Sequence, residues 1–513
     1  MGRLAVALIV SLWLIPTSIL VNQTVPEPYM DEIFHIPQAQ QYCKGNLWSW
    51  DPMITTPPGL YYLSLSHVAC LLPGMFLVQK VSSFAELCST ARLRSLNGVL
   101  AILCSIIIYE IITHLRPTLS KRKAVSFAVI LALYPLHWFF SFLYYTDVAS
   151  LTAVLAMYLT CLKKKYYFSA LLGAFAVFIR QTNIIWMLFV ACTGIIDTTM
   201  THPRKKVKVD ELNESVKETG RLIHNDSISA SSNMRRRKPN SGVNASKYST
   251  ITATGSLATQ SSGFLDEIRE ICLTSWPMKW KLFISFSPFF MVLVAFVAFV
   301  RWNGSVVLGA KEAHVVSPHF AQLMYFSLVS ALATAPVHFS LSNVANLFES
   351  FWKSRLSFFQ WLLALTAGFL SVHFFSYCYS IAHPYLVADN RHYTFYLWRK
   401  VIKAHWLMKY LLVPFYVYSW SSIFNILGKV RQKVWVLAYF LATAAVLVPA
   451  PLIEFRYYTI PFYLFILHSH VDDNESWIAM GLMYLVINAF TMVMFLFRPF
   501  HWNHEPGVQR FIW

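Results

Sequence analysis

The stretch LAVALIVSLWLIPTSILV, residues 4–21, decides the class of fold to which this chain belongs. It is almost entirely apolar and long enough to cross a bilayer as an α-helix. Helices satisfy their own backbone hydrogen bonds in lipid, so repeated stretches of this kind predict an all-α polytopic membrane protein. Arg3 precedes the stretch and no small-residue cleavage site follows it, which favours an uncleaved first span that begins in the cytosol.

The composition of the whole chain agrees with this interpretation. Only 13% of the 513 residues are charged and 56% are hydrophobic, whereas soluble globular proteins carry roughly 25% charged residues. A net charge of +18 would suggest nucleic acid in a soluble protein. Here the Lys and Arg form short clusters between apolar stretches, as topology signals do, and we predict no nucleic-acid partner.

These basic clusters set the predicted orientation. If residues 60–77 crossed the bilayer, the basic loops 116–123 and 163–165 would lie in the lumen, against the positive-inside bias. If residues 60–77 lie on the luminal face instead, both loops are cytosolic, and we prefer this arrangement. It predicts about thirteen spans, near residues 4–21, 93–113, 124–142, 147–161, 166–180, 184–197, 280–301, 320–337, 357–380, 405–425, 434–449, 458–470 and 477–497.

The spans divide the chain into two membrane halves with an insertion between them. Residues 198–276 are rich in basic and small polar residues and cannot bury a core, so we predict a disordered cytosolic insertion. The flanking regions are an N-terminal half, 1–197, with a luminal loop at 22–91, and a C-terminal half, 277–513, with luminal loops near 302–319, 381–398 and 450–457.

The first luminal loop contains YMDEIFHIPQAQQYC from residue 29 to residue 43. A short helix from Asp31 to Tyr42 would place Asp31 and His35 on one face. Such a carboxylate can serve as the general base that deprotonates a hydroxyl, although a capped interfacial helix explains the same pattern. A disulfide between Cys43 and Cys88 stays open if this loop is luminal.

A second polar loop reads ADNRHYTFYLWRK, residues 388–400. Arg391 and His392 could bind a phosphate through charge-assisted hydrogen bonds, or could simply mark the end of a membrane helix. The segments 454–456 and 180–183 pose the same question. The chain has no P-loop, GxGxxG, GxSxG or HExxH motif, which argues against a nucleotide-driven pump or a zinc protease.

Several segments together resemble the dolichyl-phosphate-glucose-dependent α-1,2-glucosyltransferase family. Besides the first loop, the matching segments are LYYTD at 143–147, FIRQTNIIW at 178–186, WNGSVVLG at 302–309, ADNRHYTFYLW at 388–398, EFRYYTIP at 454–461 and QRFIW at 509–513. They follow the family order along nearly the whole chain. The chain departs from the family pattern at Ala310, where an acidic residue is expected, and Glu312 is the candidate substitute.

The resemblance implies a GT-C-type bundle in the endoplasmic reticulum membrane with a luminal active site. Its reaction would transfer glucose from dolichyl β-D-glucosyl phosphate, in α-1,2 linkage, to the diglucosylated dolichyl-diphosphate oligosaccharide. This is the last step of lipid-linked oligosaccharide assembly for N-glycosylation. A β-linked donor and an α-linked product imply inversion in a single displacement.

The predicted roles follow from this reaction. Asp31 is the first candidate for the base, Glu32 the second and Asp51 the third. The residues predicted to bind the donor phosphate are Arg391, His392, Arg456 and Arg180. The other predicted substrate contacts are His35, Trp50, Tyr145, Asp147, Asp389, Tyr393 and Glu454. We predict no metal and no cofactor, because these cations can stabilise the leaving phosphate.

Two rival functions remain from the sequence. One is another GT-C glucosyltransferase or mannosyltransferase that acts on the same lipid. The other is a channel modulator or transporter without catalysis, although the chain shows no obvious inverted repeat of the kind that many transporters contain.

Overall fold

The structure, a computed structural model, describes residues 1–78, 87–200, 263–309, 311, 319–378, 389–450, 452–471, 473–503 and 507–513. Helices dominate these residues. They are α1 Gly2–Thr24, α2 Glu32–Cys43, α3 Gly59–Val78, α4 Thr90–Leu115, α5 Lys121–Ala132, α6 Pro135–Phe140, α7 Thr146–Leu162, α8 Tyr166–Ile179, α9 Asn183–Met200, α10 Phe264–Ser275, α11 Lys279–Asn303, α12 Ala321–Ala333, α13 Ala335–His338, α14 Leu341–Trp352, α15 Arg355–Cys378, α16 Tyr393–Leu397, α17 Met408–Leu411, α18 Val413–Gly428, α19 Lys433–Leu447, α20 Thr459–His468 and α21 Asn474–Phe497. A π-helical turn, Trp398–Ile402, a 3-10 turn, Phe455–Tyr458, and two paired strands, β1 Phe500–His501 and β2 Val508–Gln509, complete the described elements.

The helices confirm the all-α polytopic membrane class. In the described part of the chain, seven helical segments are long and apolar enough to cross a membrane. They are Gly2–Thr24, Thr90–Leu115, Asn183–Met200, Lys279–Asn303, Arg355–Phe374, Met408–Gly428 and Asn474–Phe497. Shorter apolar helices, among them Thr146–Leu162, Tyr166–Ile179, Ala321–Ala333 and Lys433–Leu447, cover other predicted spans.

Three spans predicted as continuous helices are broken. The predicted span at 124–142 divides into α5 and α6, and the break falls just before Pro135. Proline lacks a backbone N–H and restricts the preceding residue, so a helix ends there readily and a new one begins. The spans at 320–337 and 405–425 are divided in the same way, with a proline in the first turn of α13 and of α18.

The boundaries of the predicted insertion also need correction. Helix α9 continues to Met200, and α10, Phe264–Ser275, lies inside the segment predicted to be disordered. Glu267 of α10 is buried and accepts a hydrogen bond from the Val434 N–H, so α10 belongs to the packed bundle. The prediction for residues 201–262 concerns a part of the chain outside the described residues.

The site depends on how the N-terminal helices pack. Helix α4 packs against α1, α5 and α7, and α7 packs against α8 and α9. The starts of α7 and α9 lie at the same end of the bundle, because the Asn183 side chain donates to Ser150 of α7. Arg180, just before α9, also contacts Asp147 at the start of α7. Short α2 lies at this end too, where the Asp31 backbone contacts Tyr145.

A disulfide joins the two parts of the first loop. Cys43, the last residue of α2, bonds to Cys88 just before α4, across a sequence separation of 45 residues. The sequence left this pairing open. The bond fixes the end of α2 next to the start of a long membrane helix, and Asp31 lies at the opposite end of α2.

Candidate active site

Arg456 is the centre of the candidate site. Its Nη1 lies 2.7 Å from Asp31 Oδ2, and its Nε forms an ion pair with Glu454. Asp147 Oδ2 lies 3.9 Å from the same Nη1. The 3-10 turn, Phe455–Tyr458, places Arg456 beside the start of α2 although the two residues are 425 positions apart in the chain.

Asp147 links Arg456 to a second arginine. Arg180 Nη1 donates to Asp147 Oδ1 at 2.9 Å, and Arg180 Nη2 donates to the Thr146 hydroxyl at 3.0 Å. Three carboxylates, Asp31, Asp147 and Glu454, surround two guanidinium groups. All five of these side chains were predicted separately as site residues, and the structure brings them together. The formal charge of the five side chains is minus one, so an anionic ligand entering here must displace a carboxylate from an arginine.

Aromatic side chains line the group. The Asp31 backbone N–H donates to the Tyr145 hydroxyl at 3.2 Å, and the Arg456 guanidinium lies over the Tyr145 ring, 5.7 Å from its centroid. The same guanidinium also lies over the Tyr457 ring, 5.9 Å from its centroid. These rings restrict access of water and strengthen the electrostatic interactions between the charged groups.

Asp31 combines ionisation with exposure. Partial burial opposes its charge, but the neighbouring Arg456 guanidinium holds the pKa of the Asp31 carboxyl below its ordinary value. The side chain is 40% exposed, more than any other carboxylate of the group. Asp31 is therefore an ionised carboxylate with a face open to an approaching hydroxyl.

His35 lies one turn further along α2, as predicted. Burial lowers the pKa of its imidazole, which is neutral at ordinary pH, and the Asp31 carboxylate only partly offsets this effect. His35 Nδ1 and the Tyr61 hydroxyl form a hydrogen bond of 2.7 Å. Trp50, another predicted contact, packs its ring edge-on against Tyr61. These side chains form the wall of the site next to Asp31.

Glu32 occupies a different environment from its neighbour Asp31. Its side chain is fully buried and forms a bidentate ion pair with Arg94, at 2.6 and 2.9 Å. The same carboxylate accepts the backbone N–H groups of Tyr29 and Tyr144. Because its lone pairs are occupied and no solvent reaches it, Glu32 is poorly placed to be a base, and we assign it a structural role.

Glu32 also holds the turn that presents Asp31. Met30 has a positive φ of 55°, in the left-handed region that a branched or bulky residue rarely adopts. Such strain persists only where the surrounding structure imposes it. Glu32 accepts from the Tyr29 N–H and donates its own N–H to the Tyr29 carbonyl, so it closes the turn around Met30.

Asp51, the third candidate for the base, stabilises a turn. Its carboxylate accepts the Met53 N–H at 2.8 Å, and its own N–H donates to Gln38. Nothing in these contacts brings it to Arg456. Among the three first-loop carboxylates, the geometry favours Asp31.

The loop at 389–395 forms a second charged group. Arg391 pairs with Asp389, at 2.8 Å between Nη2 and Oδ2, donates to Gln509 at 3.0 Å and stacks on the Trp502 ring at 4.7 Å. Arg391 and burial act on Asp389 in opposite senses, and the pKa of Asp389 is below its ordinary value. His392 lies within range of the Asp31 carboxylate and contributes to lowering its pKa.

The C-terminal segment, residues 507–513, holds this second group in place. The Ile512 N–H donates to the Arg391 carbonyl, and the Tyr393 N–H donates to the Ile512 carbonyl. His392 Nδ1 lies 3.1 Å from the Trp513 backbone oxygen, and the Trp513 ring packs against Tyr393 and Phe455. The segment therefore connects the loop at 389–395 to the turn that carries Arg456.

Sequence reasoning missed several residues that shape the site. Tyr457 and Thr146 contact the charged group, and Tyr61 bonds to His35 beside it, yet each was only one residue of a longer matching segment. The match at 509–513 carried no predicted role although it supports Arg391 and His392. No group of three or more His, Cys, Asp or Glu suited to a metal ion occurs within the described residues.

Comparisons with known proteins agree with one another. Residues 25–467 match the model of the DIE2/ALG10 family. An Arabidopsis thaliana protein named Dol-P-Glc:Glc(2)Man(9)GlcNAc(2)-PP-Dol alpha-1,2-glucosyltransferase is 60% identical over 100% of both chains. Proteins of the same name from Mus musculus and Yarrowia lipolytica are 33% and 30% identical, each over 96% of this chain and 94% of the relative. No solved structure matches the chain.

Proposed function

Because this chain belongs to the DIE2/ALG10 family, we propose that it is an α-1,2-glucosyltransferase with two lipid-linked substrates. It transfers glucose from dolichyl β-D-glucosyl phosphate to the dolichyl-diphosphate oligosaccharide that already carries two glucoses. This reaction is the one in the names of relatives that match essentially the whole chain. Its place is the last step of lipid-linked oligosaccharide assembly in the endoplasmic reticulum.

The pair between Asp31 and Arg456 is the observation that supports this function best. Inverting transfer needs one base for the acceptor hydroxyl and cations for the leaving phosphate. The accessible Asp31 carboxylate lies 2.7 Å from the Arg456 guanidinium. Asp31 follows shortly after the end of α1 at Thr24. A polyprenyl tail can lie in the bilayer beside these helices while the sugar reaches the pair.

The proposed reaction is a single displacement. The acceptor 2-hydroxyl oxygen attacks the anomeric carbon of the donor glucose from the face opposite the phosphate. The new C–O bond forms as the bond from the anomeric carbon to the phosphate oxygen breaks, and the electron pair leaves with dolichyl phosphate. The hydroxyl proton passes to an Asp31 carboxylate oxygen. The configuration changes from β to α without a covalent enzyme intermediate.

Arg456 couples donor binding to activation of the base. Before substrate binds, the guanidinium lowers the pKa of Asp31, which makes the carboxylate a weak base. When the anionic phosphate of the donor draws Arg456 away, Asp31 loses its partner and its basicity rises. Donor binding therefore prepares the base. Arg180, and Arg391 on the second group, supply further positive charge for the phosphate, and His392 offers it a ring N–H.

We place the site on the luminal side of a GT-C-type bundle of about thirteen spans. The Cys43–Cys88 disulfide in the first loop supports this side, because disulfides form and persist in oxidising compartments such as the lumen of the endoplasmic reticulum. The basic turn Lys163–Lys165 supports it too, since it follows the end of α7 opposite Asp147.

Labelling of introduced cysteines in sealed microsomes tests this orientation. In a parent with Cys70, Cys192, Cys272 and Cys378 replaced by serine, Trp48→Cys and Lys164→Cys introduce thiols at exposed positions at the two ends of the bundle. An impermeant maleimide should label Lys164→Cys in sealed vesicles and Trp48→Cys only after permeabilisation. The reverse pattern would place the site on the cytosolic side.

Glucosyl transfer by the purified protein tests the function itself. Acceptors that carry no, one, two or three glucoses are incubated with dolichyl glucosyl phosphate or, separately, dolichyl mannosyl phosphate, and the product linkage is determined by enzymatic digestion. We expect transfer only to the diglucosylated acceptor and an α-1,2 product. Transfer to a different acceptor, or of mannose, would indicate another enzyme of the same class, and absence of transfer would overturn the proposal.

A further inference from the structure

In the described part of the chain, four buried polar atoms on the segments that surround the candidate site have no hydrogen-bond partner. They are Trp50 Nε1, Thr56 Oγ1, Gln181 Oε1 and Asp147 Oδ2, which faces Arg456 Nη1 at 3.9 Å but beyond hydrogen-bond range. Buried polar atoms in native proteins are almost always hydrogen-bonded, so a local concentration of unpaired ones calls for a ligand or water. The exposed fraction of Gln181 is only 5% and that of Asp147 is 9%.

Hydrogen bonds and ring contacts connect the segments that carry these four atoms. Gln181 Nε2 donates to the Thr55 carbonyl at 2.8 Å, which holds Gln181 against the turn that carries Thr56. Gln181 directly follows Arg180, whose guanidinium pairs with Asp147. Trp50 belongs to the same loop and packs on Tyr61 beside His35.

We propose that these four side chains form a hydroxyl pocket that binds a hexose, an inference that rests on the proposed function. Gln181 Oε1 and Asp147 Oδ2 can only accept hydrogen bonds while Asp147 is ionised. Trp50 Nε1 can only donate, and the Thr56 hydroxyl can do both. Sugar hydroxyls donate and accept, so they complement this mixed set.

The donor and acceptor atoms of these four side chains do not suit a phosphate in the hydroxyl pocket. A phosphate offers acceptor oxygens and negative charge, whereas the pocket presents a carboxylate oxygen and an amide oxygen that both require a donor. The pocket and the arginines therefore divide the substrate between them. The hydroxyl pocket holds a neutral sugar ring, and Arg456 with Arg180 faces the phosphate.

Gln181 and Thr56 are the two residues to which this proposal gives a new role in recognising the sugar. The amide nitrogen of Gln181 serves the protein by holding the turn at Thr55, which leaves the oxygen for the ligand. Thr56 Oγ1 has no protein partner, so replacing the hydroxyl with a methyl group removes no internal hydrogen bond. Both residues act as specificity determinants, because a site built to bind a hydroxyl discriminates strongly against a substrate that lacks it.

The hexose could be the transferred glucose or the terminal glucose of the acceptor, since both present the same hydroxyl chemistry. Two arms of one experiment separate them. In the first arm, purified protein receives donors that lack one glucose hydroxyl at a time. In the second arm, it receives acceptors whose terminal glucose lacks one hydroxyl other than the attacking 2-hydroxyl. The kcat/KM of each substrate is measured for wild type, Thr56→Val and Gln181→Met.

We expect Thr56→Val and Gln181→Met to lower kcat/KM for the intact substrate by roughly 10–100-fold, the range expected for one unpaired buried group. The substrate that lacks the matching hydroxyl should be used equally well by wild type and variant. The arm in which this occurs identifies the bound sugar. Thr56→Val should retain the thermal stability of wild type, which separates loss of recognition from loss of fold.

Gln432→Met is the matched control. Gln432 also has an unpaired amide oxygen, but it directly follows Arg431, which pairs with Asp197 near the far end of α9. Its hydroxyl dependence should equal that of wild type. If Thr56→Val and Gln181→Met discriminate among all deoxy substrates as wild type does, the hydroxyl pocket is wrong while the proposed function stands. If wild type transfers no glucose, the proposed function itself fails.

Discussion

Asp31 and Glu32 are adjacent carboxylates with opposite environments. Asp31 is 40% exposed and pairs with Arg456, which also contacts Glu454 and Asp147. Glu32 is fully buried, and Arg94 and two backbone N–H groups occupy its oxygens. In the proposed mechanism, the reactive carboxylate is the one whose arginine is shared with other carboxylates and accessible, while the buried pair of Glu32 and Arg94 fixes the geometry.

Breaking this buried pair should have the largest effect on the fold. Glu32→Gln leaves Arg94 as an uncompensated buried cation, which costs about 3–5 kcal/mol of the free energy of unfolding. We expect a large loss of thermal stability in detergent, measured by unfolding monitored with an intrinsic fluorescence scan. Glu27→Gln in the same loop is the control, because Glu27 is exposed and should unfold like wild type. Equal stability of the two variants would contradict the structural role of Glu32.

Removing Arg456, the shared cation, should have the next largest effect. This effect should be on catalysis and not on the fold. Arg456→Met removes the guanidinium that we propose to face the leaving phosphate, and loss of one such stabilising group typically costs about 10²–10³-fold in turnover. We measure initial rates over a range of donor concentrations. Arg391→Met is the comparison, since Arg391 is held by Asp389 and Gln509 outside the pair. A larger loss for Arg391→Met would place the phosphate at the second charged group.

The disulfide offers a test of which feature fixes Asp31. Replacing both Cys43 and Cys88 with serine should lower the free energy of unfolding by about 2–4 kcal/mol. Turnover of the folded fraction at low temperature should stay close to that of wild type, because Glu32 and Arg94 hold the start of α2. A loss of turnover without loss of stability would show that the disulfide positions Asp31.

Acid pH should give the smallest effect. The pKa of Asp31 is lower in the folded protein than its ordinary value of 3.8, so the pair with Arg456 stabilises the fold above that value. The stabilisation is lost as the pH falls through the folded pKa. Solvent screening of a half-exposed pair limits it to about 1 kcal/mol or less. The stability difference between wild type and Asp31→Asn should therefore stay constant near neutral pH and shrink as the pH falls below 3.8; a difference that stays constant below that value would contradict the pairing.

The features predicted correctly from the sequence are those that depend on the local pattern of residues. The helix from Asp31 to Tyr42 follows from its spacing, and the helical membrane class follows from repeated apolar stretches. The breaks before α6 and α13 were missed although prolines mark them, because a continuous apolar stretch was taken for a continuous helix.

The partners within the site could not be predicted in this way. Arg456 meets Asp31 across 425 positions and Arg94 meets Glu32 across 62. Nothing in the neighbouring residues tells which arginine faces which acid, so the sequence could rank Asp31 ahead of Glu32 but could not show what separates their environments. Only the packing of α4 against the first loop separates a buried structural carboxylate from an accessible one.

Single-turnover glucosyl transfer by purified Asp31→Asn is the most direct test of Asp31 as the general base. With donor and enzyme in excess over the diglucosylated acceptor, the rate reports the chemical step. Positioned general base catalysis contributes about 10²–10⁴-fold, so we predict a loss of that size for Asp31→Asn, with unchanged thermal stability at neutral pH to within about 1 kcal/mol. Asp51→Asn should react like wild type. A rate for Asp31→Asn near that of wild type would contradict the assignment of Asp31 as the base.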